Sequence, residues 1–248
     1  MERRVALKAP DGKTIYSWLN SRDQGRNKTV ALFVHGLTGH PFEHALLQAA
    51  HTFPQEGVDT CRVALYADEP NARRLHDCTI TTHAQDTTRV VAYLKRAYSQ
   101  IALVGHSLGS PSILMADTSQ VDSIVLWDPS YLAPKHRPHW PTVTYQKKRY
   151  LLMEWEVATL LNPAMFKEWC EFDGSQELPL VAKLNKPLKV IAAGKGVLLP
   201  GSRDYVRTST APAELYIIEH AGHCFTEEGA TDTLLRETLA WIQAYVVQ

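Results

Sequence analysis

Ile101-Ala102-Leu103-Val104-Gly105-His106-Ser107-Leu108-Gly109-Ser110-Pro111-Ser112-Ile113-Leu114-Met115-Ala116 reads as a buried strand, a tight turn and a helix. Residues 101–104 are wholly apolar, as a strand covered on both faces requires. Residues 110–116 follow as a helix, with Pro111 in the first turn, where its missing N–H costs no hydrogen bond. Between them, Gly105-His106-Ser107-Leu108-Gly109 matches G-x-S-x-G, a sharp strand-to-helix turn that holds a serine in a strained conformation. Gly105 and Gly109 leave room where a Cβ would meet neighbouring backbone. The pattern is common by chance, so its place between a strand and a helix is what makes it informative. The turn also presents Ser107 Oγ at the positive end of a helix.

Working outward, the same unit repeats. Residues 29–34 form another apolar, β-branched run of the buried parallel type, and short strands are expected at residues 61–65, 123–127, 188–192 and 215–218. Helical spacing appears over residues 42–53 and 79–97, where Val90, Val91 and Leu94 share a side, and an amphipathic helix over 231–247 closes the chain. Two further strands, 4–8 and 14–19, flank Asp11-Gly12, a strong hairpin signal. Strands alternating with helices predict an α/β fold: a mostly parallel eight-stranded sheet flanked by helices, with an antiparallel edge from the opening hairpin.

Residues 131–186 break the alternation. No buried strand stands out there, Pro134, Pro138, Pro141, Pro163 and Pro179 punctuate the segment, and Trp140, Tyr145, Tyr150, Trp155, Phe166, Trp169 and Phe172 crowd into it. Disordered segments are poor in aromatics. The expectation is therefore a helical cap, residues 131–186, inserted between the sixth and seventh strands of a core formed by residues 1–130 and 187–248.

A chain of 248 residues suits one large domain with a self-sufficient core. Lys+Arg and Asp+Glu balance at 26 each, which supplies no basic footprint for nucleic acid or an anionic membrane. Cys61, Cys78, Cys170 and Cys224 form no CxxC pair, against a zinc knuckle or dithiol redox motif. No apolar run is long enough to span a bilayer, and Met1-Glu2-Arg3-Arg4 leads directly into a strand, so a cytoplasmic location is expected.

A serine nucleophile needs donors for a developing oxyanion. In this architecture one is the N–H of the residue after the serine, Leu108. The other comes from the loop after the third strand, His35-Gly36-Leu37-Thr38-Gly39, where Leu37 N–H is the candidate and Thr38 its possible substitute. A general base is expected on the loop beyond the last strand, Glu219-His220-Ala221-Gly222-His223-Cys224-Phe225. His223 is preferred to His220, because Gly222 lets the loop turn it inward toward Ser107. His40, His44 and His51 lack the HExxH pattern or an acidic partner that would make a zinc site, and they read as solvated helix residues. His136 and His139 sit in the cap, at its entrance or facing water.

Taken together, His35-Gly36-Leu37-Thr38-Gly39-His40, Gly105-His106-Ser107-Leu108-Gly109 and Gly222-His223-Cys224-Phe225 resemble the α/β-hydrolase superfamily throughout the chain. The nearest likeness is to its cinnamoyl/feruloyl esterase and serine aminopeptidase-like branch, whose members carry a cap of similar size. The resemblance implies a third residue, an acid just after the seventh strand, but Ala192-Ala193-Gly194-Lys195-Gly196-Val197-Leu198-Leu199-Pro200 contains no carboxylate. Gly196 or Val197 occupies the place. Three alternatives stand: Asp128 at the end of the sixth strand, a position some relatives use; Asp204, reaching back from the following helix; or a Ser–His dyad or inactive protein. Asp128 also has the plainer reading of a turn residue before Pro129.

The activity this implies is hydrolysis of a carboxylic ester of a small apolar or aromatic substrate through an acyl-enzyme, with no metal or organic cofactor. Amide or thioester cleavage would use the same machinery. An inactive hydrolase-fold protein that keeps the cleft as a ligand site is the alternative from a different class.

Overall fold

The structure, a computed structural model, describes residues 1–22, 27–131, 138–154 and 157–246. Strands β1 (Glu2–Lys8) and β2 (Thr14–Asn20) form the opening hairpin across Asp11-Gly12, with Lys8 opposite Thr14. β3 (Thr29–Val34) leads through α1 (His44–Thr52) to β4 (Val58–Ala64), and α2 (Ile80–Lys95) leads to β5 (Gln100–His106). α3 (Gly109–Leu114) and β6 (Ser123–Trp127) follow. Next come β7 (Thr142–Tyr145), β8 (Lys148–Glu154), β9 (Ala158–Leu161), α4 (Pro163–Glu171) and α5 (Glu177–Lys183). β10 (Leu188–Ala193), α6 (Leu199–Thr208), β11 (Ala213–Ile218) and α7 (Ala230–Tyr245) complete the order.

Eight strands form one sheet in the order β1-β2-β4-β3-β5-β6-β10-β11. β1 and β2 are its antiparallel edge, and the strands from β4 to β11 run parallel. The apolar runs are continuous because each strand serves two cores. Val30, Leu32 and Val34 of β3 and Ile101 and Leu103 of β5 face one side, where Val90, Val91 and Leu94 of α2 cover them. Ala31 and Phe33, with Ala102 and Val104, face the other, where Leu46 of α1 and Leu234, Trp241 and Ile242 of α7 pack. Period-two alternation splits the side chains between the faces, and both faces are closed by helices. α2 starts at a reciprocal cap in which the Thr79 hydroxyl accepts the Thr82 N–H and the Thr82 hydroxyl accepts the Thr79 N–H.

The segment between β6 and β10 differs from a purely helical cap. It holds α4 and α5 but also a separate three-stranded antiparallel sheet, β7-β8-β9. The β7–β8 turn runs through Gln146 and Lys147, both at positive φ (47° and 63°), a conformation usually marked by Gly or Asn. Neither marker is present, so the hairpin is silent in the sequence. Only Tyr150 and Met153 of β8 are buried, three residues apart, so the strand shows no clean alternation. Asn162 caps α4 by accepting the Ala164 N–H at 2.9 Å, with Pro163 at the first helical position. Val181 and Leu184, on α5 and just past its end, join the core cluster beneath the sheet. Pro134, His136 and Trp155, and Val247 at the expected end of the closing helix, lie outside the described residues.

Two buried histidines give the fold an acid limit. Desolvation pushes the His35 imidazole down to about 4 and the His83 imidazole to about 3, below the 6.5 of an exposed histidine. The unfolded chain then binds more protons than the folded one from pH 6.5 downward. Their contribution is complete above pH 6.5 and is lost as pH falls toward 4. Asp86, raised to about 6 chiefly by desolvation despite its ion pair with Arg73, works in the opposite sense below pH 6. The net expectation is a loss on the order of 3 kcal/mol of unfolding free energy between pH 7 and pH 4. Urea titrations across that range check it; a flat profile contradicts it.

Candidate active site

β5 ends at His106, and Ser107 follows with φ at +52°, a conformation that L-residues rarely adopt. Backbone bonds hold it there. Ser107 N–H donates to the Trp127 carbonyl at 3.0 Å, and the Ser107 carbonyl accepts Ser110 N–H at 3.0 Å and Ser130 N–H at 3.2 Å. Gly109 makes the turn possible: a Cβ there would lie 2.2 Å from the Val34 carbonyl oxygen and 2.8 Å from that of His35. Because both obstacles are backbone, Gly109→Ala is expected to destabilise by more than about 4 kcal/mol. Thermal unfolding should show a chain that no longer folds near the wild-type midpoint.

His223 sits on the loop between β11 and α7. Its Nε2 lies 2.9 Å from Ser107 Oγ and its Nδ1 lies 2.5 Å from Asp128 Oδ2. A carboxylate only accepts, so the proton on Nδ1 faces Asp128 and Nε2 is free to accept from the serine hydroxyl. Asp128, just past β6 at a φ of +38°, is completely buried, whereas the His223 side chain is 40% exposed. The other Asp128 oxygen accepts Ala193 N–H at 3.2 Å.

The turn after β10, where the resemblance placed an acid, closes over this carboxylate. A Cβ on Gly196 would lie 3.3 Å from Asp128 Oδ2 and 3.4 Å from the Ala193 carbonyl oxygen. Glycine there makes room for an aspartate arriving from the neighbouring strand. Gly196→Ala should press on Asp128, shift it by a few tenths of an ångström and lower kcat by about tenfold without unfolding the chain. Steady-state kinetics beside circular dichroism tests this, and wild-type turnover would count against it.

His106, absent from the sequence reading as a site residue, holds the histidine loop. Its Nε2 is 2.9 Å from the His223 carbonyl oxygen, and the two imidazoles lie 5.0 Å apart at 34°. Burial first, and His223 second, push the His106 ring below the ordinary histidine range. Glu227 accepts the Gly222 N–H at 2.8 Å and fixes the same loop from its far end.

No family model and no curated protein matches the chain. Solved structures do. Est1E from Butyrivibrio proteoclasticus with ferulic acid bound matches at a TM-score of 0.81 and 17% identity, over 97% of this chain and 98% of that one. The esterase domain of a Rhodothermus marinus protein matches at 0.75 and 13%, over 99% of each chain. An α/β-hydrolase from Penicillium matches at 0.74 and 16%, over the whole of both. The chain has the α/β-hydrolase fold.

Within this α/β-hydrolase fold the other candidates fall away from the cluster. His220 turns outward, its Nε2 3.1 Å from the Glu228 carbonyl oxygen. Asp204 pairs with Arg207 along α6 at 3.6 Å. His40 Nδ1 accepts Phe42 N–H at 3.1 Å, and His139 is exposed. Among the described residues no group of three or more His, Cys, Asp or Glu side chains is placed to hold a metal ion.

The insert supplies an apolar wall. Leu108 lies in one cluster with Leu161, Met165, Trp169 and Phe172, and half-buried Leu37, Tyr66, Trp140 and Phe166 pack against it. Trp140 lies 5.3 Å from Phe166 and 6.1 Å from Trp169, and Trp169 Nε1 donates to Ser130 Oγ at 2.8 Å. Trp140, Phe166, Trp169 and Phe172 of this segment therefore meet the two candidate oxyanion residues, whereas Tyr145 and Tyr150 pack against His76 at 6.0 and 5.3 Å.

Proposed function

We propose that the chain is a serine hydrolase that cleaves a carboxylic ester of a small apolar or aromatic substrate through an acyl-enzyme. The observation that carries this is the chain of contacts Ser107–His223–Asp128, 2.9 Å and 2.5 Å, ending on a carboxylate that is 0% exposed. Ser107 Oγ attacks the carbonyl carbon while His223 Nε2 takes its proton. Asp128 keeps His223 in the reactive tautomer and stabilises the imidazolium. The N–H groups of Leu108 and Leu37 receive the tetrahedral oxyanion. His223 then returns the proton to the departing alcohol, and a water molecule repeats the sequence to free the acid. Every reacting group comes from the chain, the substrate or water, so no cofactor enters the scheme.

The apolar wall beside Leu37 and Leu108 supports an apolar or aromatic group on the substrate. One fold neighbour holds ferulic acid, which fits the same class. Amides and thioesters place the same demands on the site. The alternative of an inactive binding protein rests on the missing acid after β10, and the 2.5 Å contact of Asp128 with His223 Nδ1 supports the active reading over it. Among the described residues no helix is long and apolar enough to cross a membrane. We propose small-molecule esters as the partners, with neither nucleic acid nor membrane involved, and a cytoplasmic location. A fluorophosphonate probe with a panel of p-nitrophenyl and hydroxycinnamoyl esters tests the function. Labelling at Ser107 with turnover of at least one ester is expected, and a folded chain that shows neither overturns the reading.

A further inference from the structure

Three donors converge on one backbone oxygen, the carbonyl of Gly36. His35 Nδ1 reaches it at 2.9 Å, the Tyr66 hydroxyl at 3.1 Å and the Gly39 N–H at 3.2 Å. His35 Nε2 accepts Leu65 N–H at 3.2 Å, which puts the ring proton on Nδ1 and makes it a true donor to Gly36. Desolvation holds that imidazole neutral, so the arrangement persists across the neutral range. Burial likewise pushes the Tyr66 phenol well above its ordinary value, so it keeps the proton it donates. Tyr66 itself is seated by ring contacts with His35 at 5.0 Å and with His83 at 5.9 Å.

We infer that Tyr66, together with His35, is a positioning residue for the oxyanion site: it pins the Gly36–Leu37 peptide so that the Leu37 N–H faces the reacting carbonyl. The peptide unit is planar and trans, so its C=O and N–H point in opposite directions and fixing one aims the other. That peptide borders the nucleophile, since a Cβ on Gly36 would lie 3.0 Å from Ser107 Cβ and 3.6 Å from Ser107 Oγ. Thr38 adopts a φ of +63°, so the loop is a strained turn rather than a helix or strand that would orient the peptide by itself. With the carbonyl untethered, the peptide is free to rotate and present oxygen, not N–H, to the developing negative charge.

This inference rests on the serine-hydrolase reading. The test is Tyr66→Phe in the full chain, which keeps the ring and removes only the hydroxyl. It is assayed with p-nitrophenyl butyrate, an alkyl trifluoromethyl ketone that forms the tetrahedral adduct, and butyrate as a ground-state ligand. The expected result is a fall in kcat of roughly tenfold to a hundredfold with KM nearly unchanged. Ketone affinity should weaken by the same factor, and butyrate binding should not change. Wild-type kcat and ketone affinity in the variant overturn the inference while leaving Ser107 as the nucleophile. Equal weakening of ketone and butyrate assigns Tyr66 to general substrate binding and overturns it too. A wild-type chain without ester turnover or fluorophosphonate labelling overturns both readings. Should Tyr66→Phe fail to fold, His35→Asn takes its place with the same outcomes.

Discussion

Ser107→Ala is expected to lower kcat by roughly a millionfold while leaving the fold and the substrate affinity in place. The side chain removed is small, and its neighbours lose one hydrogen bond, that to His223 at 2.9 Å. The strained φ of +52° is no worse for alanine than for serine, because the strain arises at Cβ. The turn stays anchored by backbone bonds to Trp127, Ser110 and Ser130, none of which uses the hydroxyl. Chemistry should therefore disappear without structure. Active-site titration with a fluorophosphonate should fall from one equivalent to none, and the melting curve should overlay the wild type. Residual turnover of more than about a thousandth of wild type would point to another nucleophile.

Asp128→Asn should cost about four orders of magnitude in kcat. Asparagine is nearly isosteric, and its carbonyl oxygen can still accept the Ala193 N–H that Asp128 accepts at 3.2 Å. Its amide then faces His223 Nδ1 as a donor. The imidazole must turn its acceptor toward that amide and carry its proton on Nε2, where it can no longer receive one from Ser107. Removing a buried charge also removes its desolvation cost, so no loss of stability is expected. Asp204→Asn is the control: its carboxylate pairs with Arg207 on the surface of α6, and substitution there should leave kcat within about twofold. A reversed ranking of the two variants would move the acid to Asp204.

These two aspartates compete for a role that was open in the sequence. The linear order of Ser107, a turn after the third strand and His223 follows the fold's connectivity, so local pattern was enough to nominate them. The acid depends on which strands become neighbours. β6 and β10 pair with Ile191 opposite Trp127, and only that register brings Asp128 beneath the His223 loop and leaves Gly196 as the space above it. Strands β3 and β6 were readable to the residue because both are buried on two faces and bounded by turns. The β7–β9 sheet was not, because its tight turn uses Gln146 and Lys147 at positive φ with no glycine or asparagine to mark it. His106 and Tyr66 were hidden for another reason. Nothing in the sequence says whether a histidine or tyrosine faces solvent or a backbone carbonyl, though the position of His106 inside the serine turn was a signal that could have been followed.

The pairing of β5 with β6 carries a consequence for how the molecule fails under stress. His106 lies opposite Trp127, Ser107 N–H bonds the Trp127 carbonyl, and Ser130 N–H returns to the Ser107 carbonyl. Serine and aspartate thus ride on one rigid plate in the middle of the sheet. The histidine arrives separately, on a loop that leaves β11, the strand at the rim. Rim segments open at lower free energy than central ones. On heating, the molecule should lose its base before its nucleophile–acid plate comes apart. Inactivation should begin below the global melting midpoint and reverse on cooling, with amide exchange around residues 219–229 rising in step while β5 and β6 stay protected.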